Sequence, residues 1–342
     1  MKTKSALLCA GAAVAAFTAA RAATRGNPAK WIAGKVVVIT GGSRGLGLAL
    51  AEEFGRYGAR LVLAARDSSE LEKAKRRLVA CRIAPEEVLT VACDLIHADE
   101  AERLIREASR HFGRVDVLVN SAGVIHVGPV EQQSLEMFQE AMNSNFFSML
   151  YTTHAVLPQM LERRSGRIAN ICSIGGKIPV PHLAPYVASK FAAVGFSETL
   201  HAELRPKGIR VTTVNPGLMR TGSYPNAIVV GRKNEEYRWF RIAASVPAIA
   251  HSARYAARKI FRAVCLERTE VEIGLEAWLA ARVHGVAPGL VQSLGGLAES
   301  IILPAPGGDT VPVKGTDLIS FPTSLWKRWS DVLTRRFNQP PA

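Results

Sequence analysis

The stretch KVVVITGGSRGLGLALAEEFGRYGARLVLAAR, residues 35–66, constrains the fold more than any other part of the chain. Its first six residues are a short, β-branched apolar run, which predicts a buried strand over 35–40. A glycine-rich turn follows, then an amphipathic helix that stops at Gly58, then a second apolar run over 59–66. Strand, glycine turn, helix and strand in this order form the phosphate-gripping unit of a doubly wound parallel sheet. Glycine lets the backbone approach a pyrophosphate closely, and a helix start offers free N–H groups and a positive dipole end.

The alternation continues. EVLTVACDL (87–95) reads as a third strand with Asp94 at its carboxyl end, and 98–113 as a helix with an apolar stripe. VDVLVNSAG (115–123) is a fourth strand running into a turn, and 131–163 a long helix. The fifth strand and its exit occupy 165–177, the sixth 208–217, and EVEIG (270–274) a seventh. Strands alternating with helices predict an α/β fold, a doubly wound, Rossmann-type parallel sheet in three α/β/α layers. The expected organisation is an N-terminal apolar segment and linker (1–32), one catalytic domain (33–275) and a C-terminal extension (276–342). At 342 residues and 48% hydrophobic content the chain has ample material for a core, and disorder throughout is excluded.

Four further motifs lie at the carboxyl ends of the predicted strands or just after them. The glycine loop has the spacing T-G-x-x-x-G-x-G, carried by Thr40, Gly41, Gly45 and Gly47. Asn120, Ser121, Ala122 and Gly123 form an N-S-A-G turn. Ser173 stands thirteen residues before Tyr186, and Lys190 follows Tyr186 by four, one turn away on the same helix face. NPGLMRT ends the sixth strand. A free phenol, with a pKa of about 10, is a weak proton donor at neutral pH, and a nearby ammonium stabilises its ionised form. Tyr186 beside Lys190 therefore makes an acid/base pair, and Ser173 can hold a carbonyl oxygen by hydrogen bonding.

Taken together, and in this order, these motifs resemble the short-chain dehydrogenase/reductase family over about residues 33–275. The resemblance implies an oxidoreductase that interconverts a carbonyl and an alcohol with a nicotinamide dinucleotide, and a catalytic set of Ser173, Tyr186, Lys190 and an asparagine on the long helix. Asn145 fits that last place best, with Asn143 its rival. It implies a cofactor cradle of Gly41, Ser43, Arg44, Gly45, Leu46 and Gly47. By the same resemblance Asp94 lies near the adenine, Asn120 steadies the strand beside it, and Leu95, Ala122 and Gly123 also bind the cofactor. Pro216, Gly217 and Thr221 join Tyr186 and Lys190 at the nicotinamide. Ser121 departs from the family's second asparagine. Homo-oligomers are common in the family.

The end of the second strand reads out the cofactor type. An acid there would bind a ribose 2′-hydroxyl, but the strand ends in Ala65 and Arg66, and Arg44 lies in the loop. Two guanidinium groups suit a 2′-phosphate, which predicts NADP(H) over NAD(H), the latter remaining possible.

The net charge is +14, and nine of those charges sit in residues 1–35 and 311–342. A basic start followed by an apolar run over 6–20 fits either a cleaved signal or a retained membrane anchor. A cytosolic cofactor favours an anchor with the catalytic domain facing the cytoplasm; a soluble cytoplasmic or an exported protein are the alternatives. Membrane is preferred to nucleic acid as the partner of the basic ends. Five scattered cysteines, with no C-x-x-C pair and no histidine cluster, predict reduced thiols and no metal. Residues 221–249 carry Tyr224, Trp239 and Phe240, which points to a hydrophobic substrate. His126, His154 and His182 read as structural or exposed, His182 being near enough to Tyr186 to touch substrate. Residues 275–304 are apolar and could cover the sheet edge, dimerise or lie on a membrane. Residues 304–324 read as flexible, and LWKRWSDVLTRRFNQ as a basic amphipathic helix. The competing function is a non-catalytic dinucleotide-binding or sensing protein at a membrane.

Overall fold

The structure is a computed structural model that describes residues 28–220, 224–246 and 250–318. A short helix α1 (Pro28–Ile32) leads into β1 (Val36–Thr40), α2 (Gly45–Arg56), β2 (Arg60–Ala65) and α3 (Ser68–Ala80). Then come β3 (Val88–Ala92), α4 (Ala98–Phe112), β4 (Val117–Asn120) and the two-residue β5 (His126–Val127). The chain continues through α5 (Leu135–Met142), a π-helical turn (Asn143–Phe147), α6 (Ser148–Glu162), β6 (Gly166–Ile171), α7 (Ala184–Leu204) and β7 (Ile209–Pro216). It ends with β8 (Met219–Arg220), β9 (Ile228–Gly231), α8 (Lys233–Ser245), β10 (His251–Ser252), α9 (Ala253–Cys265), β11 (Glu270–Ile273), α10 (Leu275–Val286), α11 (Pro288–Ile301) and β12 (Asp309–Lys314).

Seven strands form one sheet in the order β11-β7-β6-β4-β1-β2-β3, and every pairing in it is parallel. The expected doubly wound sheet is therefore present. Alternate residues of a strand face opposite sides of a sheet. In β1, Val37 and Ile39 join a core with α2, α3 and α9, while Val36 and Val38 join the core with α4, α6 and α7. This double burial is why β1 has no polar face to alternate with. The winding direction reverses between β1 and β4, which opens a crevice at their carboxyl ends.

Two expectations about regular structure are corrected. The single helix over 131–163 is interrupted: α5 and α6 are joined through the π turn at Asn143–Phe147. One extra residue per turn leaves the apolar pattern of the flanking helices intact, so periodicity does not reveal it. Residues 309–314 form β12, within the segment expected to be flexible. Val313 pairs with Val229 and Lys314 with Ile228, antiparallel to β9, and β9 pairs in parallel with β5. The amide of Gly315 also donates to the Ala227 carbonyl at 2.9 Å. The strand is short and interrupted by Pro312, which an edge strand tolerates.

Within 221–249, Tyr224, Tyr237 and Phe240 are buried with Val127, Leu183 and Val229 in a third, smaller core. No helix among the described residues is long and apolar enough to cross a membrane. The predicted N-terminal apolar run and C-terminal basic helix lie outside the described residues.

Candidate functional site

One cavity of about 930 Å³ runs along the carboxyl ends of the central strands. Its floor at one end is the loop between β1 and α2. There Gly41, Ser43, Arg44, Gly45, Leu46 and Gly47 all line the space. Gly47 is required by close approach, since a Cβ there would overlap the carbonyl of Gly41. Gly41 takes a left-handed backbone at φ +64. This leaves bare backbone at a helix start, where N–H groups without helical partners face the cavity.

Arg66, Asp94, Leu95, Ala122, Gly123, Pro216 and Gly217 line the same cavity. Asn120 does not reach its surface. It is buried, and its amide nitrogen donates to Thr153 Oγ1 at 3.1 Å and Asn170 Oδ1 at 2.9 Å. Its oxygen accepts from Thr152 Oγ1 at 2.7 Å. It thus ties β4 to β6 and α6. Thr221 lies outside the described residues.

Ser173, Tyr186, Lys190 and Asn145 meet on the opposite wall. Tyr186 sits in the first turn of α7, half-buried, and lines the cavity together with Ser173. Burial pushes the phenol up to about 12, and the Ser173 hydroxyl opposes that rise. Lys190 is buried. Its ammonium donates to the Ile171 carbonyl at 3.0 Å and stands 5.8 Å from the Tyr186 ring centroid. Burial holds its pKa below the ordinary lysine value.

Of the two asparagines, the structure brings Asn145 to the cavity. Asn145 is fully buried in the π turn. Its Oδ1 accepts from the Val124 amide at 2.9 Å, while Nδ2 donates to the Val124 carbonyl at 3.1 Å and to Ser189 Oγ at 2.9 Å. Asn143 instead accepts from Gln139 at the surface, at 3.0 Å. A Cβ on Gly123 would come within 2.5 Å of Asn145 Oδ1, so that turn and this side chain are fitted to each other.

Two acids at the glycine-loop end were missed by sequence reasoning. Asp67 caps α3 by accepting from the amides of Ser69 at 2.8 Å and Glu70 at 3.1 Å. Glu70 accepts from Ser43 Oγ and from Arg44 Nη1, each at 3.0 Å, and lines the cavity. The run Asp67-Ser-Ser-Glu70 is a capping-box pattern, and it was the available signal. Trp239, Phe240, Ala243 and Ala244 of α8 also line the cavity, as does Lys314 of β12. Among the described residues no group of three or more His, Cys, Asp or Glu could hold a metal.

A family profile described as short chain dehydrogenase matches residues 35–227. The chain belongs to the short-chain dehydrogenase family. It is 38% identical over 196 residues to a Drosophila melanogaster protein named Dehydrogenase/reductase SDR family protein 7-like, a match covering 57% of this chain and 60% of the fly protein. It is 33% identical over 257 residues to mouse Dehydrogenase/reductase SDR family member 7B, covering 75% of this chain and 78% of the mouse protein. The bovine 7B protein is covered over 62% of its length, so this family member spans less than two thirds of its fly and bovine relatives. Among solved structures, a Streptomyces avermitilis short-chain dehydrogenase superposes with a TM-score of 0.65 at 28% identity, covering 78% of this chain and 98% of that one. A variant of actinorhodin polyketide ketoreductase, solved with NADPH, gives a TM-score of 0.61 at 30% identity, covering 70% and 95%.

Proposed function

We propose that this short-chain dehydrogenase is an NADP(H)-dependent carbonyl reductase or alcohol dehydrogenase acting on a hydrophobic substrate. One observation carries the reading: Ser173, Tyr186 and Lys190 line the same cavity as the glycine loop, where Gly47 has no room for a side chain. When bound, a reduced nicotinamide dinucleotide supplies the hydride. Gly41, Gly45 and Gly47 would receive its pyrophosphate, and Arg44 and Arg66 a 2′-phosphate. Ser173 then orients the substrate oxygen. Tyr186 delivers its proton to that oxygen as negative charge develops there. A phenol held up to about 12 is protonated at neutral pH, the form that reduction needs. The buried ammonium of Lys190 and the side chain of Asn145 brace this wall. The apolar lining from Trp239 and Phe240 supports a hydrophobic substrate.

The test is a panel of carbonyls and alcohols with NADPH and NADH. Tyr186→Phe should abolish turnover while NADPH binding persists, and Arg66→Asp should move preference toward NADH. Retained turnover in the first variant overturns the acid/base assignment. Tight NADPH binding without turnover of any panel member would favour the dinucleotide-sensing alternative.

We also propose contact with an anionic lipid surface. The helices α10 and α11 expose Leu275, Val286, Leu290, Leu294, Leu297 and Ile301, and the sequence that follows is basic, net +3 over 311–342. Co-sedimentation with phosphatidylglycerol vesicles should be lost on replacing Leu290 and Leu294 by Glu. Undiminished co-sedimentation would refute the contact.

A further inference from the structure

Three distant segments meet at a buried histidine that the chemistry above does not use. His182 lies in the turn ahead of α7, four residues before Tyr186. Its backbone is left-handed at φ +61, an unfavourable conformation for a residue with a Cβ. Its carbonyl is held by the Gly128 amide at 2.9 Å and by Gln133 Nε2 at 3.3 Å. Its ring faces a carboxylate on each side: Nδ1 is 2.8 Å from Glu236 Oε2 on α8, and Nε2 is 3.1 Å from Glu299 Oε1 on α11. The side chains of His182 and Glu236 are 2% and 0% exposed. Glu236 Oε2 also accepts from the Trp239 indole at 2.7 Å, and Oε1 has no hydrogen-bond partner.

A neutral imidazole has one N–H and can satisfy one carboxylate; an imidazolium donates to both. A carboxylate buried as deeply as Glu236 is costly unless a positive charge faces it. Both arguments select the charged ring. The same pattern holds along the C-terminal hairpin. Residues 275–302 contain three Asp, Glu, Lys or Arg residues, and each is pinned to the body: Glu276 to His251 at 2.9 Å, Arg282 to Glu272 at 3.0 Å, Glu299 to His182.

We propose that His182, as an imidazolium, is a positioning residue that clamps α8 and α11 to the turn ahead of Tyr186 and so fixes Trp239 at the substrate end of the cavity. The assignment of that end to substrate rests on the function proposed above. The titratable groups facing the ring are Glu236 from α8 and Glu299 from α11, while Gln133 touches only its backbone. Burial lowers the ring's pKa and the two carboxylates, Glu236 foremost, raise it, with a net rise above the ordinary 6.5. A released ring titrates at its ordinary value. The clamp is therefore at full strength below about pH 6.5 and weakens as the pH rises through the higher pKa of the clamped ring.

The test is hydrogen exchange of the full chain, followed by mass spectrometry from pH 6 to pH 9 and corrected for intrinsic exchange rates. Protection of 233–245 and 288–301 should be lost at the alkaline end while the seven-stranded sheet keeps its protection. Glu299→Gln is half-exposed and preserves shape, and should move that loss to lower pH. His182→Gln should remove the pH dependence. With a carbonyl from the panel and NADPH, Glu299→Gln should raise KM for bulky substrates more than it lowers kcat. Protection of 233–245 that does not respond to pH or to either substitution overturns the clamp, as does a loss spread evenly over the sheet. Absence of turnover in the unaltered protein, with the exchange response intact, would instead defeat only the functional reading.

Discussion

Glu70 offers a prediction that separates the two nicotinamide dinucleotides. In the protein alone its carboxylate takes both donors, Ser43 and Arg44, that a 2′-phosphate at this end would use, each at 3.0 Å. The Arg44 and Glu70 side chains are 35% and 24% exposed, so water screens the pair. Partly exposed ion pairs contribute about 0.2–1 kcal/mol. Glu70→Gln frees Arg44 from this competitor and removes a like charge facing the phosphate. At 1.4 kcal/mol per factor of ten, NADPH should bind about 1.4- to 5-fold more tightly. NADH has no 2′-phosphate, so its affinity should stay nearly constant. Fluorescence titration of both dinucleotides against both proteins measures the ratio, and raising salt should shrink the gain. Equal effects on NADPH and NADH, or weaker NADPH binding, would refute the view that Glu70 stands where the phosphate goes.

Asn145→Ala removes three hydrogen bonds at a fully buried position and takes their Asn145 partner from the Val124 amide and carbonyl, while Ser189 Oγ still donates to the Tyr186 carbonyl. At about 1–3 kcal/mol per buried unsatisfied group, a clear drop in Tm is expected in thermal unfolding, together with impaired turnover. Gly47→Ala should weaken NADPH binding and stability together, because its methyl group would overlap the Gly41 carbonyl. A binding-competent variant would show that the loop relaxes. Burial pushes the Cys93, Cys172 and Cys265 thiols up to about 12, whereas Cys81 is exposed. Peptide mapping after brief iodoacetamide treatment at pH 7.5 should therefore find Cys81 alkylated first among these four.

Much of this architecture was legible because its signals are local. VVVIT, RLVLAA and VLVN are apolar except for one polar residue at an end of each, since both faces of a central parallel strand are covered, and glycines punctuate the turns between layers. Tyr186 and Lys190 share a helix, so their spacing alone places them on one side. The features that escaped depend on contacts between remote segments. The π turn inserts one residue without disturbing the stripes beside it. β12 is a six-residue strand that exists only because β9 offers an edge. Glu70 would ordinarily turn back onto its own helix start, and tertiary approach of the glycine loop redirects it to Ser43 and Arg44. His182 lies in a polar-poor turn whose two partners are 54 and 117 positions away, beyond the reach of any periodicity.

The small sheet of β5, β9 and β12 gathers residues 126–127, 228–231 and 309–314 beside the cavity. A chain emerging from the ribosome delivers these three pieces at widely separated times. The glycine loop, made of near neighbours in sequence, would be whole long before this small sheet received its last strand. An early stop after β11 would thus yield a chain with its glycine loop complete but without the strand that carries Lys314 to the cavity.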